Sequence, residues 1–279
     1  MKNKIGMECI IRAVTARDFA GIQNIHRDCD DPWRDPDECA AWLGKRLERG
    51  FSIRAAALDG KIVGHAEWVV SDEPRGKFLY LGMLQIDADF QGRGIGRKML
   101  DDGMGMAREL GCAKLVTMPE ADTTSNVFYQ KCGFIEGRKI KSVTLPAGEY
   151  GYAQSFAAAG SAPFSVVRER PFVFGAVQAS SRHVWEVHNQ KPATDDRSTA
   201  AMVSGGGDCM QLGWFPGSGT ALAVYWGEPG ARCVEDMLSF GKQLGLQNVL
   251  FVFFEEYAAL FSKFDAVMED SNLEIYKII

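Results

Sequence analysis

The segment Gln91-Gly92-Arg93-Gly94-Ile95-Gly96 constrains this chain more than any other feature. An apolar, strand-like run from Phe78 to Ile86 precedes it, and an amphipathic helical pattern follows it as far as Leu110, with Gly111 as the stop. A glycine turn between a strand and a helix N-terminus gathers backbone N–H groups that the first helical turn leaves unpaired. It also lies at the positive end of the helix dipole, so it makes an anion site. Glycine suits the place because a Cβ would restrict φ and keep a phosphate at a distance. Arg93 and Arg97 can add charge-assisted contacts. The bland alternative is a tight turn that holds nothing.

Two phosphate-binding patterns do not fit. Gly96-Arg97-Lys98-Met99 lacks the Gly-Lys-Ser/Thr of a P-loop. Gly92, Gly94 and Gly96 miss the last spacing of a dinucleotide GxGxxG, and they follow several strands rather than opening a βαβ unit.

The flanking pattern predicts an α/β fold on a mixed sheet. A strand at Cys9–Val14 leads to a helix with Phe19, Ile22 and Ile25 at helical spacing, and Asp35-Pro36-Asp37-Glu38 opens a second helix that stops near Gly50. Two strands flank Asp59-Gly60, a hairpin signal. After the turn and its helix come a strand at 114–118, a helix at 123–131 and an extended piece from Phe134 to Leu145. Residues 146–163, rich in Ala, Gly and Ser, read as a boundary, and residues 189–208, with Gly205-Gly206-Gly207, as an exposed loop. The expected domains are therefore 1–145 and 146–279. The second half repeats the end of the first: Gly96 and Gly230, and Gly111 and Gly245, are each 134 residues apart, with the same strand-turn-helix-strand-helix-strand order.

Composition excludes several classes. The formal charge is −5, and nearly all of that net negative charge falls in the second half, so no nucleic-acid partner is expected. The uncharged stretch from Tyr150 to Val167 holds Gly, Gln, Ser and Pro and makes a poor membrane span. Seven scattered cysteines without CxxC pairing read as free thiols, and the His residues show no metal spacing. No signal peptide is evident, so the expected compartment is the cytoplasm.

The run Leu84-Gln85-Ile86-Asp87-Ala88-Asp89-Phe90-Gln91-Gly92-Arg93-Gly94-Ile95-Gly96-Arg97 closely resembles the acetyl-CoA motif of the GNAT superfamily, and Phe128-Tyr129-Gln130-Lys131-Cys132-Gly133-Phe134 its second signature, Tyr-x-x-x-Gly-Phe. The resemblance covers about residues 8–145. Asp122 stands where relatives often carry Asn, and Ala88 replaces a common Pro. It implies a GNAT fold, a tandem one if the second half is a repeat. It also implies that the pantetheine arm pairs with backbone near Leu84 and Ile86. Gln91, Gly92, Arg93, Gly94, Ile95, Gly96 and Arg97 would hold the pyrophosphate, with Asp122 at the cofactor site and acetyl-CoA as donor. An amine, on a small molecule or a peptide, would attack the thioester directly.

That reaction needs a base, since an amine with pKa near 10.4 is largely protonated at pH 7, and a proton donor for the departing thiolate. The resemblance implies Tyr129 as the donor. Glu67, within a strand, and Glu120, just after one, are the candidate bases; each could instead be a solvated carboxylate. His65 is read as structural and pointing to the opposite strand face from Glu67, and Cys132 as packing. In the second half, Tyr225-Trp226-Gly227-Glu228-Pro229-Gly230 replaces the glycine turn, and no acyl-CoA site is expected there. Two other readings stay open: a tandem acyl or aminoacyl transferase with another donor or acceptor, and a non-catalytic CoA sensor. Homo-oligomerisation is undetermined.

Overall fold

The computed structural model describes residues 8–26, 35–119, 124–152, 154–189, 196–230 and 232–279. The chain forms two compact units: residues 1–70, 78–115 and 278–279, and residues 71–77 and 116–277.

In the first unit, β1 (Cys9–Ala13) leads to α1 (Phe19–Ile25) and α2 (Pro36–Glu48), followed by β2 (Ser52–Leu58), β3 (Lys61–Glu73), β4 (Gly76–Ile86), α3 (Ile95–Glu109) and the start of β5 (Lys114–Thr117). The strand order is β1-β2-β3-β4. Asp59 and Gly60 both take positive φ, so the β2–β3 hairpin turns as its sequence predicts, with Leu58 opposite Lys61. Asp35 caps α2 by accepting from the N–H groups of Asp37 and Glu38, and Pro36 fills the first helical position. The apolar stripe of α3 buries Ile95, Met99, Leu100, Met104 and Ala107. Gly103 lets α3 lie close to Trp68: a Cβ there would come within 2.5 Å of the indole.

The second unit contains α4 (Thr124–Lys131), β6 (Ile135–Pro146), β7 (Phe156–Ala159), α5 (Val166–Glu169), β8 (Phe172–Phe174), α6 (Ser181–Asn189), β9 (Ser198–Ser204), β10 (Cys209–Trp214), β11 (Thr220–Trp226), α7 (Cys233–Gln243), β12 (Asn248–Phe254) and β13 (Glu269–Ile278). Its strands run β13-β6-β12-β8-β11-β10-β9-β7, with β11 and β12 also directly paired. Phe174, Phe251, Phe253 and Phe261 form the aromatic centre of its core.

Two stretches read as boundary and loop contain strands. β9 lies within 189–208, paired on both sides by β10 and β7, and β7 lies within 146–163. Their Ala and Ser side chains carry little hydrophobic signal, so cross-strand pairing decides their conformation. The compact units also part elsewhere than at 145/146. β6 pairs antiparallel with β12 along seven residues, from Asn248 opposite Pro146 to Phe254 opposite Ile140.

The repeat is visible in individual hydrogen bonds. α3 ends with Gly111 at positive φ, Cys112 N–H donating to Ala107 O and Gly111 N–H to Arg108 O. α7 ends with Gly245 at positive φ, Leu246 N–H donating to Gly241 O and Gly245 N–H to Lys242 O, the same pairs 134 residues on. Likewise Ile279 N–H donates to Ala113 O, and Ala147 N–H to Gln247 O. The residue after β13 thus meets the loop before β5 as the residue after β6 meets the loop before β12.

Among the described residues, no helix is long and apolar enough to cross a membrane, and no group of three or more His, Cys, Asp or Glu is placed to hold a metal ion.

Candidate active site

The glycine turn has the backbone that an anion site needs. Gly92 has φ 73° and Gly94 φ 79°, conformations that favour glycine, and Gly94 is the N-cap of α3. A Cβ on either would point into open space, so the turn lies bare toward solvent. Among the described residues, the N–H groups of residues 92–96 donate to no backbone carbonyl. No acidic residue sits in the first turn of α3. These donors and the dipole behind them suit a pyrophosphate.

The side chains around the turn brace it. Gln91 Nε2 donates to Ile86 O at 3.1 Å, and Arg93 donates to Asp89 O at 2.8 Å with its guanidinium over the Phe90 ring. Asp87 accepts from Asp89 N–H and pairs with Lys61 at 3.0 Å. Ile95 anchors its side chain in the core, leaving its N–H for the turn. Leu84 and Ile86 lie where β4 changes character. Phe78–Leu81 are buried, whereas every residue from Gly82 to Ile86 is half-buried with no alternation. Leu84 and Ile86 therefore lie in a part of β4 that is fully buried on neither face.

Glu67 is not a solvated carboxylate: its side chain is 2% exposed. Its Oε2 lies 3.0 Å from Arg46 Nε, and Arg46 stacks over the Trp42 and Phe51 rings at 4.2 and 4.4 Å. Its Oε1 lies 3.5 Å from His65 Nε2, and His65 Nδ1 lies 3.0 Å from His26 Nε2. The expectation that His65 faces away from Glu67 is therefore corrected: a period of two puts residues 65 and 67 on one face of β3. Burial raises the pKa of Glu67. Burial lowers His65 to about 3, helped by Arg46, and lowers His26 to about 4, helped by His65. Cys39, on α2, is pushed up to about 11 by burial and by Glu67.

Tyr129 is buried near the end of α4 in the second unit. Its spacing to Gly133 and Phe134 has a structural reason. Gly133 takes positive φ, Phe134 N–H donates to Tyr129 O, Gly133 N–H donates to Gln130 O, and the two rings meet edge-on at 5.3 Å. This is a Schellman stop with its apolar contact. The Tyr-x-x-x-Gly-Phe pattern thus ends a helix as well as presenting a phenol. Burial holds the phenol far above its ordinary pKa, while a hydrogen bond with Thr117 acts the other way. Cys132 is buried beside it and donates its N–H to Tyr129 O. Glu120 and Asp122 lie outside the described residues.

Residues 19–134 match the acetyltransferase (GNAT) family. The chain carries a GNAT-family domain. It is 38% identical over 79 residues to a mycothiol acetyltransferase of Propionibacterium freudenreichii, a match that spans 27% of this chain and 24% of that protein. A GCN5-related N-acetyltransferase from Kribbella flavida shares the fold over 99% of this chain and 72% of its own, with TM-score 0.66 and 12% identity. A tandem GNAT protein from the clavulanic acid biosynthesis pathway does so over 97% of this chain and 98% of its own, with TM-score 0.57 and 11% identity. The chain therefore has a GNAT fold throughout, with tandem GNAT proteins among its structural relatives.

The second unit departs from the GNAT turn in three ways. First, β11 and β12 run parallel only from Thr220 to Leu222, opposite Asn248 to Leu250. Beyond that, β8 enters between them, pairing Phe174 with Tyr225 and with Phe253, and Phe172 with Trp226. The end of β11 is thus spent on the protein's own backbone. Second, the turn's donors are used: Gly227 N–H bonds Pro171 O at 2.9 Å, and Gly230 N–H bonds Glu228 O at 2.8 Å. Neither glycine takes positive φ. Third, Glu235 and Asp236 occupy the first turn of α7, where their charge would repel a phosphate.

Proposed function

We propose that this GNAT protein transfers an acetyl group from acetyl-CoA to a primary amine by direct attack in a ternary complex. The observation that carries this reading is the set of unspent N–H groups at residues 92–96, aimed from the N-terminus of a 15-residue helix. Gly92, Gly94, Ile95 and Gly96 would hold the pyrophosphate through their amides, with Gln91, Arg93 and Arg97 around them. The half-buried end of β4 at Leu84 and Ile86 would take the pantetheine arm. Domains 1–145 and 146–279 are proposed as duplicated halves, the second without an acyl-CoA site because β8 fills the equivalent cleft.

In the reaction, the neutral amine attacks the thioester carbonyl, the C–S bond breaks, and the thiolate takes a proton. Tyr129 is assigned that proton, because burial keeps its phenol protonated well beyond neutral pH. Glu67 is assigned the proton released by the amine, because its desolvated carboxyl holds a proton more readily than a solvated one. The acceptor is taken to be a small-molecule or peptide amine.

The test is thiol release from acetyl-CoA with a panel of glucosamine, spermidine and a lysine-containing peptide, measured on the full chain. Acetylation of one of these supports the reading. Saturable binding of acetyl-CoA with no transfer to any amine would instead support a CoA-binding sensor. The mycothiol acetyltransferase match favours a second reading, in which the acceptor is mycothiol lacking its acetyl group. Adding that compound to the panel separates the two.

A further inference from the structure

Among the described residues, the N–H groups of residues 92–96 have no backbone carbonyl to aim them, so the chain on either side must set their direction. Downstream, α3 does so: Ile95 is buried, and Lys98 N–H donates to Gly94 O. Upstream, residues 88–94 are exposed apart from the half-buried Phe90, and the nearest buried residue is Asp87. A carboxylate buried there needs partners, and Asp87 has them on the strand and on the turn alike. Its N–H donates to Val63 O on β3, and its carbonyl accepts from Phe90 N–H at 2.8 Å. Its Oδ1 accepts from Asp89 N–H at 3.1 Å, capping the single 3-10 turn Ala88–Phe90, and its Oδ2 accepts from Lys61 Nζ at 3.0 Å. Lys61 and Arg93 both lie over the Phe90 ring, at 4.6 and 4.9 Å, and Arg93 closes back on Asp89 O. We infer that Asp87 is a positioning residue for acetyl-CoA. Its cap on the 3-10 turn holds the upstream end of the glycine turn in the conformation that gathers the amides of residues 92–96. The inference rests on the reading of that turn as the acetyl-CoA site.

Of the two carboxylate oxygens, Oδ1 carries more of this role. A lost N-cap bond weakens the turn it closes severalfold, whereas Lys61 is 57% exposed, and an ion pair so open to water holds little. The backbone at Asp87 also names a substitute for the cap. With φ −48° and ψ 128°, Asp87 has the extended ψ of a residue that precedes proline. Ala88 is the exposed first residue of the turn, and none of the bonds named above uses its N–H. Proline at position 88 would therefore fix the same turn without the carboxylate.

Calorimetric titration with acetyl-CoA and amide hydrogen exchange, both on the full chain, test this. Asp87→Ala should raise the Kd by about fivefold, since fewer molecules hold the competent turn. Asp87→Asn keeps an oxygen for Asp89 N–H, and Asp87→Ala combined with Ala88→Pro keeps the turn by another means. Both should bind within about twofold of wild type. Ala88→Pro alone should gain nothing, because the turn is already fixed. An equal gain from proline in both backgrounds would show that it acts independently of the cap, and would overturn the inference. So would an Asp87→Asn chain as weak as Asp87→Ala. Exchange of Phe90 N–H, read without ligand, should quicken in Asp87→Ala and slow again when Ala88→Pro is added. Unchanged exchange would remove Asp87 from the support of the turn while leaving the acetyl-CoA site in place. No binding of acetyl-CoA by the wild-type chain would instead overturn the reading of the turn, and the role of Asp87 toward that ligand with it, whatever the exchange shows.

Discussion

The two halves of this chain run the same course from strand through turn and helix to strand, and they spend the turn differently. In the first unit, Gly92 and Gly94 adopt positive φ, the amides of residues 92–96 have no backbone carbonyl partner among the described residues, and α3 opens without an acidic residue. In the second, β8 pairs with the end of β11, Gly227 and Gly230 have given their N–H groups to carbonyls, and Glu235 and Asp236 stand at the start of α7. The helix-stop glycines 111 and 245, by contrast, keep the same φ sign and the same hydrogen bonds. A stop serves folding in either unit, whereas a turn with unpaired donors is useful only where an anion arrives to satisfy them.

The largest effect expected is on folding itself. Because β12 is paired by β6 along seven residues, a fragment beginning at 146 lacks the neighbour of a central strand. Expressed alone, residues 146–279 should show no cooperative thermal transition, and starting the fragment at residue 116 should restore one. A folded 146–279 fragment would mean that β6 is dispensable to the second unit.

Next in size is the turn. Alanine at both Gly92 and Gly94 imposes about 1–2 kcal/mol of left-handed strain per site, relieved only by a backbone that no longer aims the amides. Acetyl-CoA affinity should fall by about 10²-fold in titration calorimetry. Alanine at Gly227 and Gly230, which do not take positive φ, should leave the affinity unchanged.

Tyr129→Phe should lower kcat by about 10²-fold with the Kd of acetyl-CoA unchanged. Since burial raises the phenol's pKa, the wild-type rate should show no fall attributable to this tyrosine up to pH 10. Unchanged turnover in Tyr129→Phe would leave the residue with only its role in the helix stop.

Stability should record the buried histidines. Their folded pKa values, about 4 for His26 and about 3 for His65, lie below the ordinary 6.5. Between those limits the unfolded chain binds more protons, so their contribution is complete above pH 6.5 and is lost as pH falls toward 4 and 3. The slope is at most about 1.4 kcal/mol per pH unit for each ring. Glu67, shifted the other way, opposes this above its unfolded pKa. His26→Gln should flatten the dependence of Tm on pH between 6.5 and 5, and an unaltered slope would contradict its neutral burial.

What the sequence revealed follows from the range of the interactions. The glycine turn, the Asp59-Gly60 hairpin and the helix stops at Gly111 and Gly133 are local, and each can be read from a few consecutive residues. Glu67 and His65 could have been joined by strand periodicity alone, since they are two residues apart. His26 could not, because 39 residues separate it from His65 and only the packing of α1 against β3 brings them together. The strand β8 is three residues long and gives no periodic signal, yet it decides the fate of the second turn by entering a gap formed some fifty residues later. β9, built of small residues, was hidden for the same reason: its partners specify it more than its own side chains do.

The most direct measurement is calorimetric titration of the full chain with acetyl-CoA, with NAD and ATP as controls. One saturable site per chain, abolished by the Gly92 and Gly94 substitutions and indifferent to those at Gly227 and Gly230, is the predicted result. Two sites per chain, or none, would contradict the division of labour between the turns.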